Sequence, residues 1–435
     1  RFPRSTGIGA NRIGVEDPAF PMIEGAAGAG ASPARFRGTT LVDWLRAGNA
    51  RSRALSVSRK DRGAILPVGL SKQEVYWYSR DGRFVTSSYY AAALPAWVRA
   101  FNAKKIPQSY AGKVWLPLLP DAAYREPDSV EIESEGLEYA FPHPVPDDST
   151  RAAGWIIAMP WMDDIVLSFG LAGVEALGLG KGPHADVLSM SLSSTDAMGH
   201  RFGPDSKEMH DQVLQVDRAL GVFLDSLYRL RDPSRVALVL TADHGVASVP
   251  ELADSIKPPP VRASLYPLLD TVRARLVARK VNPGAIDVDQ QIVLIDRAEF
   301  QRAKVNADSV LDAFAESARR LPGIQRVDRF ADLIKADTIA DPVARRWLHH
   351  FSAQDAIELV VTLKPGSTWG GNVASHVSPY DYDTHVPMIF YGPAFKPGRY
   401  PGFVRTVDLA ATLAAVMRVR PSERIDGVVL QQALK

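Results

Sequence analysis

The sequence predicts an α/β fold built on a mostly parallel central sheet, and three observations carry that prediction. Residues 185–192 and 235–240 each read as a short buried strand. Between them Met209, Val213, Val216, Leu220, Phe223 and Leu227 recur at steps of three and four, the pattern of an amphipathic helix. Strand, helix, strand in that order is a βαβ crossover, which makes the strands parallel and brings their C-terminal ends to one edge of the sheet. The third observation is chemical. Each strand runs into an acid and a histidine, in Ser194-Thr195-Asp196-Ala197-Met198-Gly199-His200 and in Thr241-Ala242-Asp243-His244-Gly245.

The remaining elements follow along the chain. Residues 22–35 are rich in Gly and Ala and read as a mobile loop. A short helix is expected over 39–47, with Leu41, Trp44 and Leu45 on one face, and a strand over 54–58 that ends at Lys60-Asp61-Arg62-Gly63. Residues 70–150 are aromatic and Pro-rich, which suggests a cap subdomain of short strands for substrate recognition. An apolar helix is expected over 161–177. Residues 250–350 read as a mixed insertion, with helices at 265–278 and 307–321 and a strand at 291–295. Strands follow at 358–363 and 386–391, and then a closing helix at 408–417 with Arg418 near its C-terminus, where a cation suits the dipole. The expected organisation is therefore a core from 1–69 and 151–435, interrupted by the insertion, plus the cap.

Bulk composition narrows the function. A chain of 435 residues is too long for one simple core. Fifty-one basic residues oppose 49 acidic ones with no like-charge block, so nucleic acid is not an expected partner. There is no cysteine, which excludes disulfides, thiolate metal ligands and thiol nucleophiles, and is compatible with an extracytoplasmic protein. No run of about 18 apolar residues occurs, so no membrane-spanning helix is expected. The chain opens at Arg1 inside Ser5-Thr6-Gly7-Ile8-Gly9-Ala10-Asn11, without Met or a signal-like region, and is expected to have lost its natural start.

Asp196 and His200 stand four apart, so one turn of helix would point both at a common centre. Such a pair alone is most often a surface or capping pair, and a strand-end Asp243 is as often a helix cap. His385, in Tyr382-Asp383-Thr384-His385, is by itself an ordinary loop histidine. Together they give Asp, His, Asp, His and His at strand ends. That donor set lacks thiolate and suits catalytic Zn²⁺, with Mn²⁺ or Co²⁺ as alternatives. Lys60 and Arg62 would normally be a solvated charge cluster. At a strand end facing the same edge, a point charge and a planar fork are suited to gripping a phosphoryl group. Asn11 offers one more donor, although after Gly9 it is also a natural turn residue. His376, the His349-His350 pair, His143, His184 and His210 are expected at the periphery or on the surface.

These motifs have a family look. Ser194 through Pro204, Thr241 to Gly245 and Tyr380-Asp381-Tyr382-Asp383-Thr384-His385-Val386-Pro387 resemble the alkaline phosphatase superfamily. Lys60 to Pro67, Ser87-Ser88-Tyr89-Tyr90 and Leu94-Pro95-Ala96-Trp97-Val98 resemble its PafA-type branch, close to the nucleotide pyrophosphatase/phosphodiesterases. The resemblance covers nearly the whole chain. It implies two zinc ions, one held by Asp196, His200 and His385, the other ligated by Asp243 and His244. It implies phosphate contacts from Lys60, Arg62 and Asn11, small phosphorylated substrates, a preference for monoesters and a periplasmic or secreted location. The branch's nucleophilic threonine and a further Asp ligand would lie ahead of Arg1, and Thr6 does not match the nucleophile's position. Phosphodiesterase or nucleotide pyrophosphatase activity on the same scaffold, and a non-catalytic metal-binding fragment, remain the alternatives.

Overall fold

A computed structural model describes residues 14–253, 255–352 and 356–435. Its central sheet contains β1 (Ala54–Ser58), β2 (Glu74–Ser79), β3 (Arg83–Val85) and β4 (Val187–Ser191) in the order β3-β2-β1-β4. β1 runs parallel to both β2 and β4, and only β3 is antiparallel. Helix α1 (Asp61–Ile65) follows β1 directly, and α2 (Trp161–Leu177), α3 (Ser194–Phe202) and α4 (Lys207–Leu230) surround β4 in the chain.

Every residue of β1 is buried. Its alternation of Leu55 and Val57 with Ala54, Ser56 and Ser58 therefore separates two covered faces, not a dry face from a wet one. Leu55 and Val57 join the largest apolar cluster with α2, while Ala54 joins a second cluster beneath α1. Helix α2 lies so close to the sheet that a Cβ on Gly173 would come within 2.3 Å of Leu55 Cδ2. Phe169 of α2 stacks on Phe84 of β3, with ring centroids 3.9 Å apart.

Three expectations about organisation need correction. The aromatic run Val75-Tyr76-Trp77-Tyr78, expected in the cap, lies in β2, with Val75 to Trp77 paired to β1 and Tyr78 to β3. Both faces of the sheet are covered there, so a run of large apolar residues is what the position requires. Beyond β3 and a helix over Ala96–Ala103, the rest of the 70–150 stretch is largely irregular, with one antiparallel pair of two-residue strands, Val114–Trp115 and His143–Pro144. It is pinned to α4 by Asp211, which accepts hydrogen bonds from Trp115 Nε1 at 2.7 Å and from Leu118 N–H and Tyr124 OH at 2.6 Å.

The insertion forms a second, antiparallel sheet of β6 (Ile286–Asp289), β7 (Ile292–Ile295), β8 (Ile324–Arg329) and β9 (Leu359–Leu363), after β5 (Leu238–Thr241) in the chain. Its strand order is β8-β9-β7-β6. The sequence reading puts β9 in the core. It belongs here because its alternate residues fill two different clusters, Leu359, Val361 and Leu363 on one face and Val360 on the other.

The third correction concerns the crossover. The sequence reading makes β4 and β5 parallel strands of one sheet, yet β5 pairs instead with β10 (Met388–Tyr391), antiparallel, in a separate two-stranded ribbon. The loops after β4 and β5 nevertheless converge. A short helix, α5 (Asp381–Thr384), precedes β10. The expected helices near both ends of the chain form as Leu41–Gly48, entered through a Thr40/Asp43 capping box, and Asp408–Val416. No single helix among the described residues is long and apolar enough to cross a membrane.

Candidate metal centre

The centre is built where β1, β4 and β5 end. Helix α3 starts two residues beyond β4 and places Asp196 and His200 one turn apart, with His200 Nε2 3.5 Å from Asp196 Oδ1. The loop after β5 brings His244 Nε2 to 3.6 Å from the same oxygen and to 3.5 Å from Asp243 Oδ2. A third imidazole closes the group from the loop ahead of α5: His376 Nε2 lies 3.8 Å from Asp196 Oδ1. The His376 ring stacks on His244, with centroids 3.6 Å apart, and sits 5.0 Å from that of His200. Ligand atoms of Asp196, His200 and His376 all lie within 4.8 Å of one another.

The loop after β5 is held by its glycine. Gly245 N–H donates to Asp383 O at 2.8 Å, and a Cβ at Gly245 would sit 2.0 Å from Tyr382 O. The glycine thus lets two backbones touch, which fixes His244 against the α5 segment. Asp383 is buried and ties the same segment down by accepting from Ser378 N–H at 2.7 Å.

The donor set suits a divalent ion. His200 Nδ1 is 2.8 Å from Ala374 O, and His244 Nδ1 is 2.8 Å from Gly245 O. An Nδ1–H donated to a carbonyl leaves Nε2 with its lone pair directed at Asp196. Burial, followed by the neighbouring His244 and His200, pushes the His376 pKa down to about 4, so this ring is neutral at pH 7, the form a metal ligand needs. Ligands held at roughly 2.0–2.1 Å around one tetrahedral ion stand about 3.4 Å apart, close to the separations found here.

Lys60 completes the cluster. It follows β1, and its ammonium hydrogen-bonds Asp196 Oδ2. Burial raises the Asp196 carboxyl, but the Lys60 hydrogen bond and charge, with His200 and His244, outweigh it and hold the pKa below the ordinary value. Arg59, just before Lys60, is half-buried and reaches Ser193 O at 3.4 Å, at the entry to α3. Burial depresses its pKa, against the opposing pull of Asp196 and Asp163.

Of the residues expected from sequence, Asp196, His200, Asp243, His244 and Lys60 meet here, with the Asp243 side chain 85% exposed. Arg62 does not join them: its side chain is 59% exposed and 4.0 Å from Asp61. Asn11 lies outside the described residues. His385 is exposed and outside the group, its backbone N–H bonded to Asp381 O, so the expected third histidine is replaced by His376. The eight residues between them decide this, because His376 precedes the α5 turn and His385 ends it on the solvent side. The signal for His376 was its place in the same loop, a few residues ahead of the recognised motif. His143, His184 and His210 find partners elsewhere, in Glu208, Asn49 and Glu126.

The profile of the type I phosphodiesterase / nucleotide pyrophosphatase family matches residues 65–366. The chain is similar to alkaline phosphatase PhoV of Synechococcus elongatus, 29% identical over 98% of this chain and 79% of that protein. It is also similar to alkaline phosphatase PafA of Elizabethkingia meningoseptica, 28% identical over 89% of this chain and 73% of that protein. The crystal structure of wild-type PafA superposes with a TM-score of 0.89 at 25% identity, covering 97% of this chain and 83% of that one.

Proposed function

Since the chain belongs to the type I phosphodiesterase / nucleotide pyrophosphatase family, we propose that it is a phosphoester hydrolase of the alkaline phosphatase type, acting on phosphate monoesters with two divalent ions, zinc foremost. Asp196, His200 and His376 would hold one ion, with His244 and Asp243 turned to the second. Bound there, the ions would neutralise the phosphoryl group and stabilise the attacking and leaving oxygens.

Lys60 carries the monoester reading. Its ammonium reaches Asp196, so a fixed positive charge stands at the rim of the imidazole cluster. A monoester dianion brings one more negative charge than a diester, and an ammonium preorganised beside it stabilises that extra charge in the transition state. By the resemblance, the attack on phosphorus belongs to a threonine ahead of Arg1, giving a phosphothreonine that water then hydrolyses. Detection of phosphothreonine by mass spectrometry, in acid-quenched protein carrying its upstream residues, checks that step. Turnover by residues 1–435 alone would refute it.

The test of the monoester assignment is Lys60→Ala at matched metal content. It is expected to lower kcat/KM for p-nitrophenyl phosphate by roughly 10²–10³-fold, the scale of one lost transition-state donor. For bis-p-nitrophenyl phosphate the loss should stay under about tenfold. Equal losses would overturn the monoester reading in favour of phosphodiester hydrolysis, which the family description and the exposure of Arg62 support.

A further inference from the structure

Helix α3 bears Asp196 and His200, yet its own N-cap residue, Ser193, makes no side-chain capping bond. The cap comes from another helix. Asp163, in the first turn of α2, is 1% exposed, and its Oδ1 accepts from Ser194 N–H at 3.2 Å. Its Oδ2 accepts from Gln212 Nε2 of α4 at 3.0 Å, and that same amide nitrogen donates to Thr195 Oγ1 at 3.1 Å. Ser194 and Gln212 are fully buried. Two consecutive residues at the start of α3, the two that precede Asp196, are thus held by one carboxylate and one carboxamide from the flanking helices.

Burial on this scale is costly for a carboxylate, and no basic side chain lies within 4.0 Å of Asp163 among the described residues. Burial pushes the Asp163 pKa up to about 6, against the opposing hydrogen bonds of Ser194 and Gln212 and the charge of Arg59. The carboxylate is therefore ionised at neutral and alkaline pH. A neutral side chain would be the more stable occupant if packing were its only role. Arg59 lies in the field of both Asp163 and Asp196.

We propose that Asp163, through Ser194 and Gln212, is a positioning residue for the metal centre: it fixes the rotation of α3 that presents Asp196 and His200. This rests on the metal-centre reading and not on the choice of phosphoester. Groups that orient metal ligands typically change metal affinity about 10–100-fold when replaced.

The experiment uses Co²⁺ as the probe, added to the metal-stripped protein and followed by its visible d–d absorption. Asp163→Asn keeps the volume and the acceptor for Ser194 N–H, but sets an NH₂ against the NH₂ of Gln212. It is expected to weaken Co²⁺ binding by about tenfold or more and to alter the d–d bands, while the thermal midpoint stays level or rises. The double variant Asp163→Asn with Gln212→Glu reverses the polarity of the pair. Its introduced carboxylate accepts from both the new amide and the Thr195 hydroxyl, and most of the affinity is expected to return. Wild-type affinity and spectrum in Asp163→Asn would overturn the proposal. So would a joint loss of thermal stability and affinity that the double variant does not restore, since that would mark a purely structural residue. Absence of Co²⁺ binding by the wild-type protein would instead refute the metal-centre reading itself.

Discussion

A carboxylate oxygen facing three imidazole nitrogens at 3.5, 3.6 and 3.8 Å is a geometry that favours positive charge at its centre. Lone pairs converge on it from every side, and only a proton, an ammonium or a metal ion makes the convergence favourable. The Lys60 ammonium serves the other oxygen of Asp196. At this scale the choice between His376 and His385 is testable. His376→Ala is expected to reduce Zn²⁺ affinity by at least about tenfold, whereas His385→Ala should leave it within about twofold. Isothermal titration with both variants checks this, and the reverse ranking would restore His385 as the ligand. The pairing of Asp196 with His200 was legible because helical spacing is local. His376 was not, because its direction depends on a turn: Val377 directly after it holds φ 92, a left-handed conformation that a β-branched residue adopts only when its surroundings impose it.

Elements deliver these residues through close backbone contact more than through side-chain packing. The loop after β5 touches the α5 segment at Gly245, where no side chain fits. Gly245→Ala places a Cβ against a carbonyl oxygen that no rotamer change can move. It is expected to destabilise the fold by about 1–3 kcal/mol, measured by urea denaturation, and to weaken metal binding as His244 shifts. An unchanged midpoint would show that the loop has room. The helical pattern of α4 and the strand character around β4 and β5 were readable in the sequence, since periodicity of apolar residues reports burial. The pairing of those strands was not. A βαβ unit leaves its partner strands open, and β10, far along the chain, competes for the edge of β5.

Across the whole molecule, the irregular 114–145 region and the core meet over a buried acid pair. Glu133 is 3% exposed and Glu208, whose Oε1 lies 2.8 Å from His143 Nε2, is fully buried. Burial, then the charges of Glu208 and Asp128, pushes the Glu133 pKa up to about 8. Next to it Ile132, like Val246, packs on the cluster of Val249, Val373 and Ala374, in the loops that carry His244 and His376. Because the folded state binds this proton more tightly than the unfolded chain, Glu133 contributes most below the unfolded value of 4.5, and the contribution is lost as pH rises towards and through 8. Wild-type stability should therefore fall between pH 6 and pH 9 more steeply than that of Glu133→Gln, as read from urea midpoints. Parallel slopes would remove Glu133 as the titrating group.

The sequence by itself determined the class of fold, the family resemblance and most of the chemistry, because apolar periodicity and short motifs at strand ends are local properties of the chain. It placed Asp196, His200, Asp243, His244 and Lys60 at strand ends before any contact was known. The tertiary structure alone decided which histidine closes the group, which strands pair, where the insertion ends and that Asp163 caps α3 from another helix. Each of those depends on contacts between segments far apart in the chain, where burial and hydrogen-bond satisfaction select one arrangement among several that local pattern allows.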